Sequence, residues 1–403
     1  MVSYLTRILG LGRLDLAEDV VQDTLCRALE MWPIHGVPDN PSAWLMRVAR
    51  NRAIDLVRRD NRLRCVAPDL VRFLKERGEL SAKAPALEKD IQDDQLRMMF
   101  SCCHPELSTD AQVTLILKTL CGFSVSEIAR ALLSSEASVE KRLGRARKLF
   151  RQSGSPDDIS DGSEISGRLE AVCEVIYLLF NEGYHGSRSD RTVREELCFE
   201  AIRLALLISE HPEGDRPRTH ALLALLCFHA ARLAGRTDDE GNLIQLEMQD
   251  RSRWDQDLIS RGFHFVERSA TGEELSEYHL EAAIASLHCA APSYEGTEWA
   301  RILQLYDELY RLKPSPVVAL NRAIALGKAR GPDDGLAELD KIPDTARLKD
   351  YPFYPAAQGE FHLLAGRPSE AQCYFEKAMK LARNASEARF LERKRAACLM
   401  PHR

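Results

Sequence analysis

The sequence predicts an all-α protein: two small helical modules followed by a long α-helical array. Three observations carry this. Apolar residues recur at three- and four-residue spacing along nearly the whole chain, and alternating strand patterns with hairpin signals are absent. Two amphipathic helices, over 41–62 and 136–151, set an apolar face against a face rich in Arg and Lys. A spaced triplet also repeats near the C-terminus, as Ile302/Tyr306/Leu309, Gly335/Leu339/Ile342 and Ala371/Phe375/Ala378.

A chain of 403 residues, 45% hydrophobic and 29% charged, is long enough for two or three domains with their own cores. No run approaches the roughly 18 apolar residues that span a bilayer, and the first residues lack signal-peptide order. A cytoplasmic location without membrane association is expected. The 11 cysteines are scattered inside helical patterns, as at Cys173, Cys198, Cys227 and Cys373, which predicts reduced, buried thiols. Cys102-Cys103-His104 lacks the spacing of a zinc site, so neither metal nor cofactor is expected. The net charge of −6 is uneven: residues 1–152 carry 24 Lys+Arg against 20 Asp+Glu, and the remainder 31 against 41. Basic charge is therefore concentrated in the first two modules, as nucleic-acid binding requires.

The first module, 1–62, opens with a helix whose apolar face is expected from Leu16, Val20, Leu25 and Leu29, with Trp32-Pro33 as its stop. Asp19, Gln22 and Asp23, preceded by Asp15 and Glu18, form an acidic patch on that helix. Such residues suit a helix N-terminus for dipole reasons; the sharper reading is a docking surface for a basic partner helix. A turn through Gly36–Asn40 leads to Pro41, well placed as a first helical residue. On the next helix Leu45, Ala49, Ala53 and Leu56 share the core side. Arg47, Arg50, Asn51, Arg58 and Arg62 lie opposite, with Arg59 beside them. Guanidinium forks bind phosphate and Asn reads adenine. Trp44, at the edge of this face, is suited to stacking on an unpaired base. The plain alternative is a solvated basic face with Trp44 in the core.

Residues 63–92 are weakly periodic and read as a linker. The second module, 93–151, contains helices over 111–120 and 124–132, a turn at 133–135 and a third helix over 136–151. In that third helix Val139, Leu143, Ala146 and Phe150 share one face. Ser138, Lys141, Arg145 and Lys148 share the other, with Arg142 at its flank, as in a recognition helix lying in the major groove. The alternative is a three-helix module that binds protein.

A Gly/Ser/Asp-rich stretch over 152–167 marks the clearest boundary. Beyond it, 168–290 reads as a helical extension and 291–403 as tetratricopeptide-like repeats, with triplets spaced by 33 and then 36 residues and Gly359 where two helices touch. Polar clusters interrupt the apolar terrain at Asn181, Glu182, Tyr184 and His185, and at Asp250, Arg253 and Trp254. An enzyme would recruit Glu182, His185 and Asp250 as acid–base groups. No nucleophile motif, metal spacing or phosphate-binding glycine loop supports that. A hydrogen-bonded network with Trp254 and Arg253 as buried anchors is expected instead, in a protein that is not an enzyme.

Taken together, Ala17–Asp23 (AEDVVQD), Trp44-Leu45 and Ala49–Asp55 (ARNRAID) resemble region 2 of bacterial extracytoplasmic-function sigma factors. Ser126–Ala129 (SEIA) with Val139–Lys148 resembles their region 4. Tyr177–Tyr184 (YLLFNEGY), Gln249–Asp255 (QDRSRWD), Tyr278–Ala285 (YHLEAAIA) and Ser315–Ala323 (SPVVALNRA) are similar to the subgroup with a C-terminal tetratricopeptide-type domain. The resemblance covers nearly the whole chain. It implies that Asp19, Gln22 and Asp23 dock on the β′ subunit of RNA polymerase. It implies that the Pro38–Asn51 segment melts and reads the −10 element, flipping a base. It implies that the 136–151 helix reads the −35 element while its module sits on the β subunit, the two modules being separate because the elements lie about two helical turns apart. It further implies that the extension takes over control, and the extension's acidity suggests two modes: folding back on the basic DNA-binding faces, or binding a partner peptide in the concave surface of the array. Two departures stand out: most of the first helix usual in region 2 is expected to be missing, and Glu140 sits on the recognition helix, placed to accept from cytosine or to face solvent. The competing reading is a one-component helix-turn-helix regulator with a helical sensor, and a third is a pure repeat scaffold.

Overall fold

The computed structural model describes residues 1–59, 94–104, 106–132, 134–152, 162–185, 195–238 and 242–399. They fall into two compact units, Met1–Val175 and Ile176–Arg403.

In the first unit, α1 (Val2–Leu9), α2 (Leu14–His35) and α3 (Pro41–Arg59) pack together. Helix α1 buries Leu5 and Leu9 against Ala17, Val20, Ala49 and Ala53. Two expectations for α2 need correction. The helix does not stop at Trp32-Pro33: Pro33 lies inside its last turn, where only one backbone bond is forfeited. The end comes at Gly36, which takes φ +83 and donates its N–H to the Trp32 carbonyl at 2.9 Å. The core face is also rotated: Leu14, Ala17, Val20, Thr24 and Ala28 are buried, whereas Leu25 is 40% and Leu29 76% exposed. Close approach of α1 and α3 demands small residues here. Thr24 is tolerated because its hydroxyl donates to the Val20 carbonyl at 2.7 Å.

A helical stretch over 94–102 precedes α4 (Thr109–Thr119), α5 (Val125–Ala131) and α6 (Glu136–Gln152). Ser124 and Glu127 close a reciprocal capping box: Ser124 N–H donates to Glu127 Oε2 at 2.9 Å, and Glu127 N–H donates to Ser124 Oγ at 3.2 Å. The glutamate of the SEIA motif is thereby buried as a helix start. Helix α7 (Gly162–His185) gives its residues up to Val175 to this unit, where Arg168 Nη1 donates to the Phe100 carbonyl at 2.9 Å.

In the second unit, α8 (Glu195–Ser209), α10 (Gln256–Ser269) and α11 (Glu277–Ala290) surround α9 (Pro217–Ala230). Helix α9 is apolar on every side and buried along nearly its whole length, as such a helix must be. Then come α12 (Trp299–Leu312), α13 (Pro316–Arg330), α14 (Pro332–Leu339), α15 (Phe353–Leu364), α16 (Pro368–Lys380) and α17 (Ala385–Ala397). Their core comes in successive layers. One joins Leu280, Ile284, Ile302 and Leu309, a second joins Leu320, Leu339 and Phe361, and a third joins Ala371, Phe375 and Leu391. Each layer is shared by consecutive helices, so each amphipathic face is buried only by its neighbour. The glycines of the repeat mark close approaches: a Cβ on Gly359 would lie 3.0 Å from the Phe375 ring.

Candidate nucleic-acid interface

Helix α3 starts where Asn40 Oδ1 accepts from the Ala43 N–H at 2.9 Å, an Asn cap ahead of Pro41. Met46, Ala49 and Ala53 are buried, Leu45 and Leu56 half-buried, while Arg47, Asn51 and Arg52 are exposed and Arg50 half-buried. Arg47, Arg50 and Asn51 therefore share one open face, as the wheel predicts. The side chains of Arg58 and Arg59, and the whole of Arg62, lie outside the described residues. Trp44 is neither wholly buried nor free. Its ring meets Trp32 edge-on at 5.7 Å between centroids, a contact available because α2 continues past Trp32.

On α2, Asp19, Gln22 and Asp23 are all exposed, and the helical phase places the exposed Leu25 and Leu29 beside Gln22 and away from Asp23. Arg52 Nη2 reaches Asp23 at 3.3 Å. The acidic residues just before them turn elsewhere. Arg147 Nε lies 3.2 Å from Asp15, Arg147 Nη2 lies 3.1 Å from Glu18, and Arg151 lies 3.5 Å from Asp15. Burial raises the pKa of Glu18, with Arg147 acting against that shift. The turn Leu11–Arg13 comes so near α6 that a Cβ on Gly12 would sit 3.2 Å from the Phe150 carbonyl oxygen. The two modules expected to be separate are thus joined within one compact unit, through the edge of α6.

The main face of α6 stays open. Val139, Leu143, Ala146 and Phe150 are buried as predicted, while Lys141, Arg145 and Lys148 are exposed and Ser138 is half-buried. Ser135 Oγ accepts from the Ser138 N–H at 3.2 Å and starts the helix. Arg142 is tied back within its module, 2.6 Å from Asp110 on α4. Glu140 is exposed.

The polar clusters of the second unit are structural in their contacts. Tyr184 is buried with the Arg236 guanidinium 3.5 Å over its ring, Glu182 is buried, and Asn181 hydrogen-bonds Tyr177. Asp250 is exposed and caps a short turn, accepting from the Ser252 hydroxyl at 2.7 Å and the Ser252 N–H at 2.9 Å, which together hold its pKa below the usual value. Trp254 is buried, as expected, but its partner is not Arg253, which is exposed. Arg251 takes that place: its guanidinium lies 4.6 Å from the Trp254 ring and donates to the carbonyls of His288 at 2.6 Å and Ala291 at 2.7 Å. Burial, with Arg232 and Arg251 nearby, drives the His288 pKa down to about 3. Sequence reasoning missed Arg232, Arg236 and Arg251. Arg251 lies within the QDRSRWD segment, two residues before Arg253, whereas nothing local in the sequence marks Arg232 or Arg236. Among the described residues no helix is long and apolar enough to cross a membrane.

Comparison with known proteins assigns these parts. The model of sigma-70 region 2 matches residues 1–63 and that of sigma-70 region 4 matches 97–150. A family of unknown function, DUF6596, matches 168–270. The uncharacterized protein R00370 of Rhizobium meliloti (strain 1021) is 39% identical over 380 residues, covering 94% of this chain and 89% of that protein. RNA polymerase sigma factor SigV of Bacillus subtilis (strain 168) is 25% identical over 146 residues, covering 36% of this chain and 80% of SigV. No solved structure matches. The domains are those of a sigma factor, which is not an enzyme and whose binding partners are core RNA polymerase and promoter DNA. The chain carries sigma-70 regions 2 and 4 ahead of a helical extension of unknown role, and it belongs to the same family as R00370.

Proposed function

We propose that this chain is an alternative RNA polymerase sigma factor of the extracytoplasmic-function type, acting in the cytoplasm, with its C-terminal half as a regulatory module. The observation that carries the reading is a pair of open basic helix faces, on α3 and α6, each backed by a buried apolar face and matched in order by sigma-70 regions 2 and 4. Asp19, Gln22 and Asp23, with the exposed Leu25 and Leu29 beside Gln22 at the edge of that surface, are the site for the β′ subunit: acid to meet a basic helix and apolar area to hold it. Arg47, Arg50 and Asn51, joined by Arg58, Arg59 and Arg62, take the −10 element, with Trp44 braced on Trp32 at the edge of that face. Ser138, Lys141, Arg145 and Lys148 take the −35 element, and Arg142, held by Asp110, buttresses the helix or reaches phosphate after exchanging partners. The β subunit carries the region 4 module.

The layered helices after α11 are a tetratricopeptide-like array in this reading, and the polar clusters at Asn181–Tyr184 and Asp250–Trp254 fix its geometry. A one-component regulator leaves the exposed α2 stripe without a task. The test is binding of fluorescently labelled full-length chain to bacterial core polymerase. The parent binds, and Asp19→Ala with Leu29→Ser loses at least tenfold, with thermal stability within about 0.5 kcal/mol of the parent because both positions are exposed. Specific duplex binding by a chain that ignores core polymerase would favour the one-component regulator.

A further inference from the structure

A cavity of about 320 Å³ opens in the second unit, between the Gln245–Glu247 segment and helices α13, α15, α16 and α17. Half-buried Ile324, Phe353 and Phe390 line it together with the aromatic side chains of Tyr294 and Trp299, while Phe361 and Phe375, both 1% exposed, are packed behind that lining. This is the size and character of a small-molecule site: aromatic walls with few polar groups.

Two lysines, Lys328 and Lys394, and two glutamates, Glu247 and Glu360, line it, and they are unequally paired. Glu360 is satisfied by Lys394, whose Nζ lies 2.8 Å from its carboxylate. Lys328 is half-buried and makes no ion pair among the described residues, and its Nζ sits 5.5 Å from the Tyr294 ring centroid. Tyr294 has its pKa raised by burial, and Lys328, which hydrogen-bonds its side chain, opposes the shift. One cation without a carboxylate partner beside an aromatic surface selects an apolar body bearing a single negative charge. The exposed Glu247 at the rim weighs against a polyanion.

We propose that this cavity is an effector site for a small amphipathic monoanion, its aromatic or branched aliphatic body on Ile324, Phe353 and Phe390 and its anionic group on Lys328. The site also has a mechanical connection. The wall segment continues from Asn242–Ile244, which is fastened to α17: Leu243 N–H donates to Ser386 Oγ at 3.2 Å, and Arg393 donates to the Leu243 carbonyl at 2.7 Å. A bound ligand bridges the region matched by the family of unknown function to the last helices. Ligand binding stands on these residues alone. Only the consequence, that the ligand sets the activity of the sigma domains, rests on the proposed function.

The probe is 8-anilinonaphthalene-1-sulfonate, a fluorescent aromatic monoanion, titrated into the full chain. The expected result is one saturable site, displaced at least tenfold better by octanoate than by octylamine, which has the same chain length and the opposite charge. Lys328→Met removes that charge preference, and Ala356→Trp, which fills the cavity, weakens probe binding at least tenfold. Circular dichroism and a cooperative melt establish that each variant is folded. Equal competition by octanoate and octylamine in the parent overturns the proposal even if neither variant folds, as does probe binding unchanged by folded Ala356→Trp. Core polymerase is absent from this assay, so its outcome is separate from that of the sigma reading.

Discussion

Glu281 shows how much one residue hides from sequence. It reads as a helix-surface glutamate in YHLEAAIA, yet burial raises its pKa to about 7 while Tyr177, donating to its carboxylate at 2.9 Å, pulls the other way. In the folded chain it keeps a proton that the unfolded chain releases near 4.5, so its contribution to stability is full below pH 4.5 and is lost as pH rises to about 7. The slope is at most about 1.4 kcal/mol per pH unit. Glu281→Gln is expected to flatten that fall in denaturant titrations at pH 5 and pH 8. An unchanged pH dependence would show that Glu281 titrates normally. His288 works in the opposite sense, its depressed pKa costing stability as pH falls below 6.5, so only the difference between variant and parent isolates Glu281. The exchange of Arg253 for Arg251 has a similar lesson. Their segment forms a 3-10 turn, where residues three apart eclipse, and that register puts Arg251 rather than Arg253 on Trp254. Aromatic anchoring was legible at this site, but the arginine that provides it depended on the turn type.

At the scale of elements, the faces of α3 and α6 were readable because their apolar and basic positions separate cleanly at helical spacing. The face of α2 was not. Two of its four leucines, Leu25 and Leu29, point outward, and its buried side is made by Leu14, Ala17, Val20, Thr24 and Ala28. Counting leucines finds the stickiest side of a helix, which in a protein that docks on another is not always the core side. In the array, Gly335 tests close packing directly. A Cβ there would lie 2.6 Å from the Phe361 ring and 2.9 Å from the Gly327 Cα, a backbone atom that cannot swing away. Gly335→Ala is expected to cost about 1–3 kcal/mol in equilibrium unfolding despite the better helix propensity of alanine. A neutral or stabilising result would mean the two helices separate easily.

For the molecule as a whole, the order of its parts was plain in the sequence and the joining of the first two was not. Arg147 and Asp15 are far apart in the chain, and a charge pair at that separation leaves no local pattern. The side chains of Arg147 and Glu18 are 27% and 23% exposed, and such pairs are worth about 0–1 kcal/mol each, screened by salt. Ion pairs of that size do not by themselves lock the two modules together. Asp15→Ala with Glu18→Ala should speed amide hydrogen exchange along α6 at low salt and change little at high salt. Equal exchange rates in parent and variant at both salt concentrations would mean that the apolar contact, not the ion pairs, holds the modules.

The most direct measurement of the central claim is run-off transcription by bacterial core polymerase on a promoter library, with the full chain added. The account predicts transcripts that start at a selected pair of −35 and −10 elements and depend on the chain. Lys141→Ala with Arg145→Ala should abolish the −35 requirement or the signal, and Arg47→Ala with Asn51→Ala should abolish initiation. No chain-dependent transcript from any promoter, with the chain folded and core polymerase active with another sigma factor, would contradict it.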